Sequence, residues 1–189
     1  MTFEDLKTAF FDATLETWHT HPNGGGWVQN TAKVSDTAFV GSEAVVSGKA
    51  VVSGNARVSG NARVYGNAVV SGRSRVYEDA RVYEDAWVSE NALVSGKALV
   101  SGNARVSGNA RVYGDATITE DAQIYGDATI AGSAQVYGDA WVYGDARVFG
   151  RSQISGRSRV FGSARISGRS LVFGDTVVSG DQIIGEMAN

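Results

Sequence analysis

Every sixth residue from Val34 to Ile184 is valine or isoleucine, 26 positions without an exception. Two residues before nearly every one stands something small: Ala32, Ala38, Ala44 and onward to Ala164, with serine at 74, 152, 158 and 170. A period of six excludes a helix, because such a stripe would wander round a cylinder of about 3.6 residues per turn. The unit reads Ala-x-Val-Ser/Tyr-Gly-Asn/Asp, as in Ala62-Arg63-Val64-Tyr65-Gly66-Asn67. In extended chain, alanine and valine two apart point the same way and x points out. Glycine then breaks the strand by taking positive φ, and Asn and Asp tolerate the left-handed region better than most residues. Each unit is a short strand and a turn that bury one alanine and one valine. One unit cannot bury its apolar face alone, whereas stacked units can, so the chain is predicted to be an all-β solenoid.

The run Ala56-Arg57-Val58-Ser59-Gly60-Asn61-Ala62-Arg63-Val64-Tyr65-Gly66-Asn67 resembles the hexapeptide-repeat proteins of the acyltransferase-like superfamily. These fold as a single-stranded left-handed parallel β-helix. The resemblance covers residues 31 to 184 and implies a triangular solenoid of about 18 residues per coil, preceded here by an N-terminal α-helix. The 26 units then give between eight and nine coils, a prism roughly 40 Å long at ~4.8 Å per coil. The glycine falls two residues after the aliphatic position, whereas acyltransferase members often carry it one after. The likeness is therefore to the uninterrupted, valine-rich type.

Tyr113, Tyr125, Tyr137, Phe149, Phe161 and Phe173 follow the aliphatic position at spacing twelve. Between them stand Thr119, Ala131, Ser155, Ser167 and Ser179, with Tyr143 as the exception. Spacing twelve is compatible with two hexapeptides per coil, a flat solenoid with one aromatic ladder. Three per coil accounts for it too, since each corner column then carries large and small residues in turn. Phe149 would lie between Ala131 and Ser167, and Tyr137 between Thr119 and Ser155. A flat coil has a very thin core, which normally needs disulfides, and the chain has no cysteine. The triangular form is favoured.

Residues 1–26 break the pattern and read as an amphipathic helix with a Gly-rich linker, ahead of a β-helix over 27–189. Thr2 and Asp5 suggest a capping box. Phe3, Leu6, Phe10 and Thr17/Trp18 follow helical spacing, with Ala9, Phe11 and Ala13 widening the apolar face. The helix, over residues 3–18, is expected to cover the open N-terminal end of the solenoid, the alternative being a docking helix. At the other end Gln182 replaces the small inward residue. Either the tail after Ile184 folds over the last coil or that edge meets another chain, so a homo-oligomer is expected.

Hexapeptide enzymes transfer acyl groups, typically in trimers, with a histidine as general base and often a loop inserted in the helix. Here the two histidines, His19 and His21, both precede the repeat, and no insertion interrupts residues 34–184. They are the weak candidates for a base; as a pair of metal ligands two alternate histidines are too few. Gly24-Gly25-Gly26 lacks the lysine and hydroxyl residue of a phosphate loop. The abundant serines read as small polar residues on an outer strand face and not as nucleophiles, and Thr117, Thr119 and Thr129 are too few for an ice-binding array. No cofactor or metal is expected. A net charge of −3 gives no global attraction to nucleic acid. No apolar stretch would span a membrane and no signal peptide is evident, which points to a cytoplasmic protein.

Two surfaces stand out. Val51, Val69 and Trp87 occupy the outward slot at spacing 18, and Trp141 and Val177 recur in the same column. With Tyr65 and Tyr83 they are expected to form an aromatic and apolar binding face. From Tyr113 to Ala146 the chain carries six acids and no base; from there to Arg169 it carries Arg147, Arg151, Arg157, Arg159, Arg165 and Arg169 and no acid. The arginines are a candidate basic belt, and Arg157 is predicted to lie between Asp139 and Asp175. The expected function is a non-enzymatic binding or assembly module with a protein partner. An acyltransferase-like enzyme and an inhibitor or adhesin-type protein are the alternatives.

Overall fold

In a computed structural model of the chain, residues 1–185 are described. Helix α1 (Phe3–Ala9) comes first, then β1 (Trp18–Thr20), β2 (Trp27–Gln29), β3 (Lys33–Val34) and β4 (Phe39–Val40). From there a two-residue strand follows in every hexapeptide as far as Ile183–Ile184. The strands form three parallel sheets, visited in turn. The first face begins at β2 and continues through Val45, Arg63, Arg81 and Leu99. The second begins at β3 and continues through Val51, Val69, Trp87 and Arg105. The third begins at β4 and continues through Arg57, Arg75 and Leu93. Residue n pairs with n + 18 throughout, so each coil is a triangle of three hexapeptides. The flat twelve-residue alternative is excluded.

The wall is held by backbone hydrogen bonds between coils: Arg63 N–H donates to Ala80 C=O at 3.0 Å, and Tyr65 N–H to Val82 C=O at 3.0 Å. The interior is one column of alanine with valine or isoleucine, fully buried from Ala38 to Ile166. Each enclosed valine is worth about 2 kcal/mol relative to exposure. Where serine replaces alanine, its hydroxyl donates to the carbonyl three residues back, as Ser74 does to Ser71 at 2.7 Å and Ser158 to Ser155 at 2.8 Å. A small polar group can therefore enter the core without being left unpaired. At the corners glycine takes φ near +70°, and a Cβ at Gly156 would stand 2.7 Å from the nitrogen of Gly174 one coil above.

The N-terminal segment departs from the sequence expectation in two ways. The helix stops at Ala9, not near Trp18. Thr14 and Thr17 instead close a local turn, with Trp18 N–H donating to Thr14 C=O at 3.0 Å, and these threonines favour such side-chain bonds over helix interior. Trp18–Thr20 then becomes a strand, antiparallel to β2, and completes a sheet of ten. The helix also lies against the side of the solenoid and not over its end. Leu6, Ala13 and Trp18 bury themselves with Trp27 and Val45, which are outward residues of the first face. Phe3 rests on Trp27 (centroids 5.5 Å apart) and Phe10 on Trp18 (4.9 Å), while Trp27 Nε1 donates to Met1 C=O at 3.1 Å. What covers the bottom edge is β1 under the first face and the 23–26 loop under the third. Asn23 Nδ2 donates to Ala38 C=O at 2.8 Å, and Gly26 N–H to Val40 C=O at 2.9 Å. At the top, Gln182 turns out from the core and its Oε1 accepts Ser179 N–H at 2.8 Å. Of the tail expected to cover that end, residues 186–189 lie outside the described residues.

Candidate functional site

The strand register brings Val51, Val69 and Trp87 together on three successive coils of the second face. Arg105, Gln123, Trp141, Arg159 and Val177 continue the column. They point outward because each directly precedes an inward valine or isoleucine. Trp87 is 49% exposed and Val177 57%; Val51, Val69 and Trp141 are half-buried by their neighbours. Above each tryptophan sits an arginine: the Arg105 guanidinium lies 5.7 Å from the Trp87 ring centroid and Arg159 5.2 Å from Trp141. Such pairs are worth ~0.5–1 kcal/mol at exposed sites and hold the indoles in place.

Tyr65 and Tyr83 do not belong to this column. They stand at the corner between the first and second faces, stacked 5.0 Å apart and nearly parallel. Tyr65 lines a hollow of about 190 Å³ with Phe10, Val45, Ser47, Arg63 and Arg81 of the first face. Burial, and then the neighbouring Tyr83, hold its phenol above the ordinary tyrosine range. A second aromatic ridge runs along the corner between the second and third faces: Tyr125, Tyr143 and Phe161, with ring centroids 4.8 and 4.9 Å apart. Burial, then Tyr143, likewise raises the Tyr125 phenol. In the sequence Tyr143 breaks the spacing of twelve, which hides this ridge. Spacing 18 would have shown it.

The six arginines of the candidate basic belt do not share one side. Arg147 and Arg165 are register partners on the third face, and Arg151 and Arg169 border a groove at the adjoining corner with Gly150, Gly168, Ser170 and Gly185. Arg159 is drawn over Trp141 on the second face. Arg157 makes a two-pronged bridge to Asp175 one coil above, Nε to Oδ1 at 2.8 Å and a second nitrogen to Oδ2 at 3.0 Å. Both partners are exposed, so the pair contributes at most about 1 kcal/mol.

His19 Nδ1 bonds Asn30 Oδ1 at 2.7 Å, and the ring borders an open hollow beneath β3 with Lys33, Ser35, Val51 and Ser53. His21 is only 3% exposed and turns inward, its Nδ1 against the backbone of Asn23. The two rings of the candidate pair thus do different things. Among the described residues no three His, Asp or Glu side chains converge as metal ligands, and no helix is long and apolar enough to cross a membrane.

A family model described as the YdcK beta solenoid repeat matches residues 52–66, 56–72, 98–112 and 122–138. Among solved structures, the chain is similar to a UDP-N-acetylglucosamine acyltransferase from Campylobacter jejuni. That match has 16% identity and a TM-score of 0.43, over 76% of this chain and 68% of the other. It is also similar to LpxA from Acinetobacter baumannii, at 12% identity and a TM-score of 0.33, over 79% of this chain and 68% of the other. No curated protein matches the sequence. The unbroken period of six and the register of 18 give the chain the architecture of a hexapeptide-repeat parallel β-helix, and the family-model matches fall within that repeat.

Proposed function

We propose that the protein is a binding or assembly module that works through protein contact on the second face, without catalysis. The observation that carries this reading is the outward column of Val51, Val69, Trp87, Trp141 and Val177 on a wall that no loop interrupts. Aligned apolar side chains on a water-facing sheet are retained where another surface covers them. The uninterrupted wall, with no inserted loop to shape a substrate cleft, and the burial of His21 support the absence of catalysis. The N-terminal segment adds a second apolar point, since Phe11 is 95% and Leu15 70% exposed just after α1.

Hydroxyl-radical footprinting of the full chain tests this, run dilute, concentrated and in extract of its host. Trp87 and Trp141 should lose labelling in at least one of the latter two conditions. Tyr113 and Phe149, exposed on the corner beyond the third face, should keep theirs. Unchanged labelling of both tryptophans under every condition overturns the proposal. So does steady thiol release from acyl-CoA donors.

A further inference from the structure

We infer that the partner of the second face is a second copy of this chain, docked antiparallel about a two-fold axis between Arg105 and Gln123. This rests on the binding role proposed above and names its partner and geometry.

The column is nearly palindromic. Read outward from the midpoint between the register partners Arg105 and Gln123, the next residues are Trp87 below and Trp141 above. Beyond them come Val69 and Arg159, and then, three coils from Arg105 and Gln123, Val51 and Val177. A two-fold axis through that midpoint, perpendicular to the solenoid, sets Trp87 of each copy opposite Trp141 of the other. It also sets Val51 opposite Val177, and Arg105 opposite Gln123, a donor against an acceptor. Val69 meets Arg159, whose guanidinium is already drawn toward Trp141. An isologous contact demands this kind of self-matching.

The neighbouring corner repeats the match in shape. Its column reads Ser53, Ser71, Ser89, Ser107, Tyr125, Tyr143, Phe161, Ser179. The same axis sets Tyr125 opposite Ser107, Tyr143 opposite Ser89 and Phe161 opposite Ser71. The stacked ridge of one copy thus lies along the serine row of the other. On the far corner Tyr65 meets Ser155 and Phe173 meets Ser47, and only Tyr83 meets another ring, Tyr137. Parallel docking about an axis along the prism would put Trp87 on Trp87 and turn the ridge corner onto the opposite corner of the other copy, Tyr143 onto Tyr137, so that the ridge would not meet the serine row. The antiparallel strip is about 35 Å long at ~4.8 Å per coil and narrow, which places it among the small interfaces and calls for a concentration-dependent dimer.

The chain contains no cysteine, so each engineered thiol is unique, and the substituted indoles lie outside the core. Full-length Trp87→Cys and Trp141→Cys are oxidised singly and as an equimolar mixture, with circular dichroism confirming the fold of each. The expected result is a disulfide-linked dimer from the mixture, formed at least tenfold faster than from either variant alone. Efficient self-coupling of Trp87→Cys overturns the antiparallel arrangement and supports a parallel one. No coupling anywhere, with a wild-type monomer in sedimentation at the highest soluble concentration, excludes the second copy. Protection of Trp87 in host extract alone would then leave the binding role standing with a different partner.

Discussion

The carboxylate of Glu84 accepts the backbone N–H of Gly102, one coil above it, at 2.6 Å. Glu84 holds the left-handed corner position that glycine fills in most coils, with φ 59°. Glu78, Glu90 and Glu120 do the same, bonding Gly96, Gly108 and Gly138. Left-handed backbone costs a non-glycine residue about 1–2 kcal/mol, and a carboxylate bond to an amide restores a similar amount. Glu84→Ala keeps the strain and loses the bond, so the amide of Gly102 should exchange with solvent about tenfold faster. Glu84→Gly loses both and should stay within about threefold of wild type, as read by hydrogen exchange at that amide.

Gly156 and Gly174 share one corner on successive coils, with φ +67° and +68°. A Cβ at Gly156 would crowd the backbone above it, whereas among the described residues a Cβ at Gly174 meets nothing within 4 Å. Gly174→Ala should cost about 1 kcal/mol, the left-handed penalty alone. Gly156→Ala should cost at least twice that, read as a larger fall in thermal midpoint. Gly156→Glu should recover part of the loss, because its carboxylate can take the N–H of Gly174 as Glu84 takes that of Gly102. If all three melt together, stacking distance does not select the corner residue.

Asp5 sits in a reciprocal cap: its Oδ2 accepts Thr2 N–H at 2.8 Å and the Thr2 hydroxyl at 2.7 Å. The Thr2 hydroxyl first, and then the Thr2 amide, hold the Asp5 carboxyl below its ordinary value of 3.8. A lowered folded value means that the contribution is complete above the ordinary value and fades as pH falls through the folded one. Acidification below about pH 4 should therefore loosen α1 from Trp27, seen as a shift in tryptophan emission. Asp5→Asn should show the looser state already at neutral pH and lose that part of the pH response.

The repeat was legible because translation along the axis imposes one rule on every coil. Val64, Val82 and Val100 must face inward for the same reason, and the disagreement between spacings 12 and 18 could be argued from core thickness alone. What the repeat does not govern was read less well. The N-terminal segment occurs once, so nothing averages its signals: Trp27 looked like the start of a coil, and its outward indole gave no sign that α1 would cover it. Tyr65 was grouped with Val51 because both face solvent. Yet a residue after the inward valine lies at a corner and can lean to either side, and Tyr65 leans toward Phe10 and Arg81. The glutamates at glycine positions were missed because propensity disfavours them there. Only the register shows that each has a glycine amide to bond.

Tyr143 and Tyr137 isolate what an aromatic ridge contributes. Both follow an inward valine, and both are half-buried. Tyr143 lies between two rings, 4.8 Å from Tyr125 and 4.9 Å from Phe161, whereas Tyr137 has Thr119 below it and Ser155 above in its column. Truncation to alanine removes similar apolar area at either site, so the difference reports ring contact. At about 0.5–1.5 kcal/mol per aromatic pair, Tyr143→Ala should destabilise by ~1–3 kcal/mol more than Tyr137→Ala. Tyr143→Phe should behave as wild type, since the stack uses the ring and not the hydroxyl. Urea unfolding of dilute protein, where association through the second face does not enter, gives the comparison. Equal midpoints for the two alanine variants would mean that the ridge is kept for what it touches on another molecule, and not for the stability of its own coil.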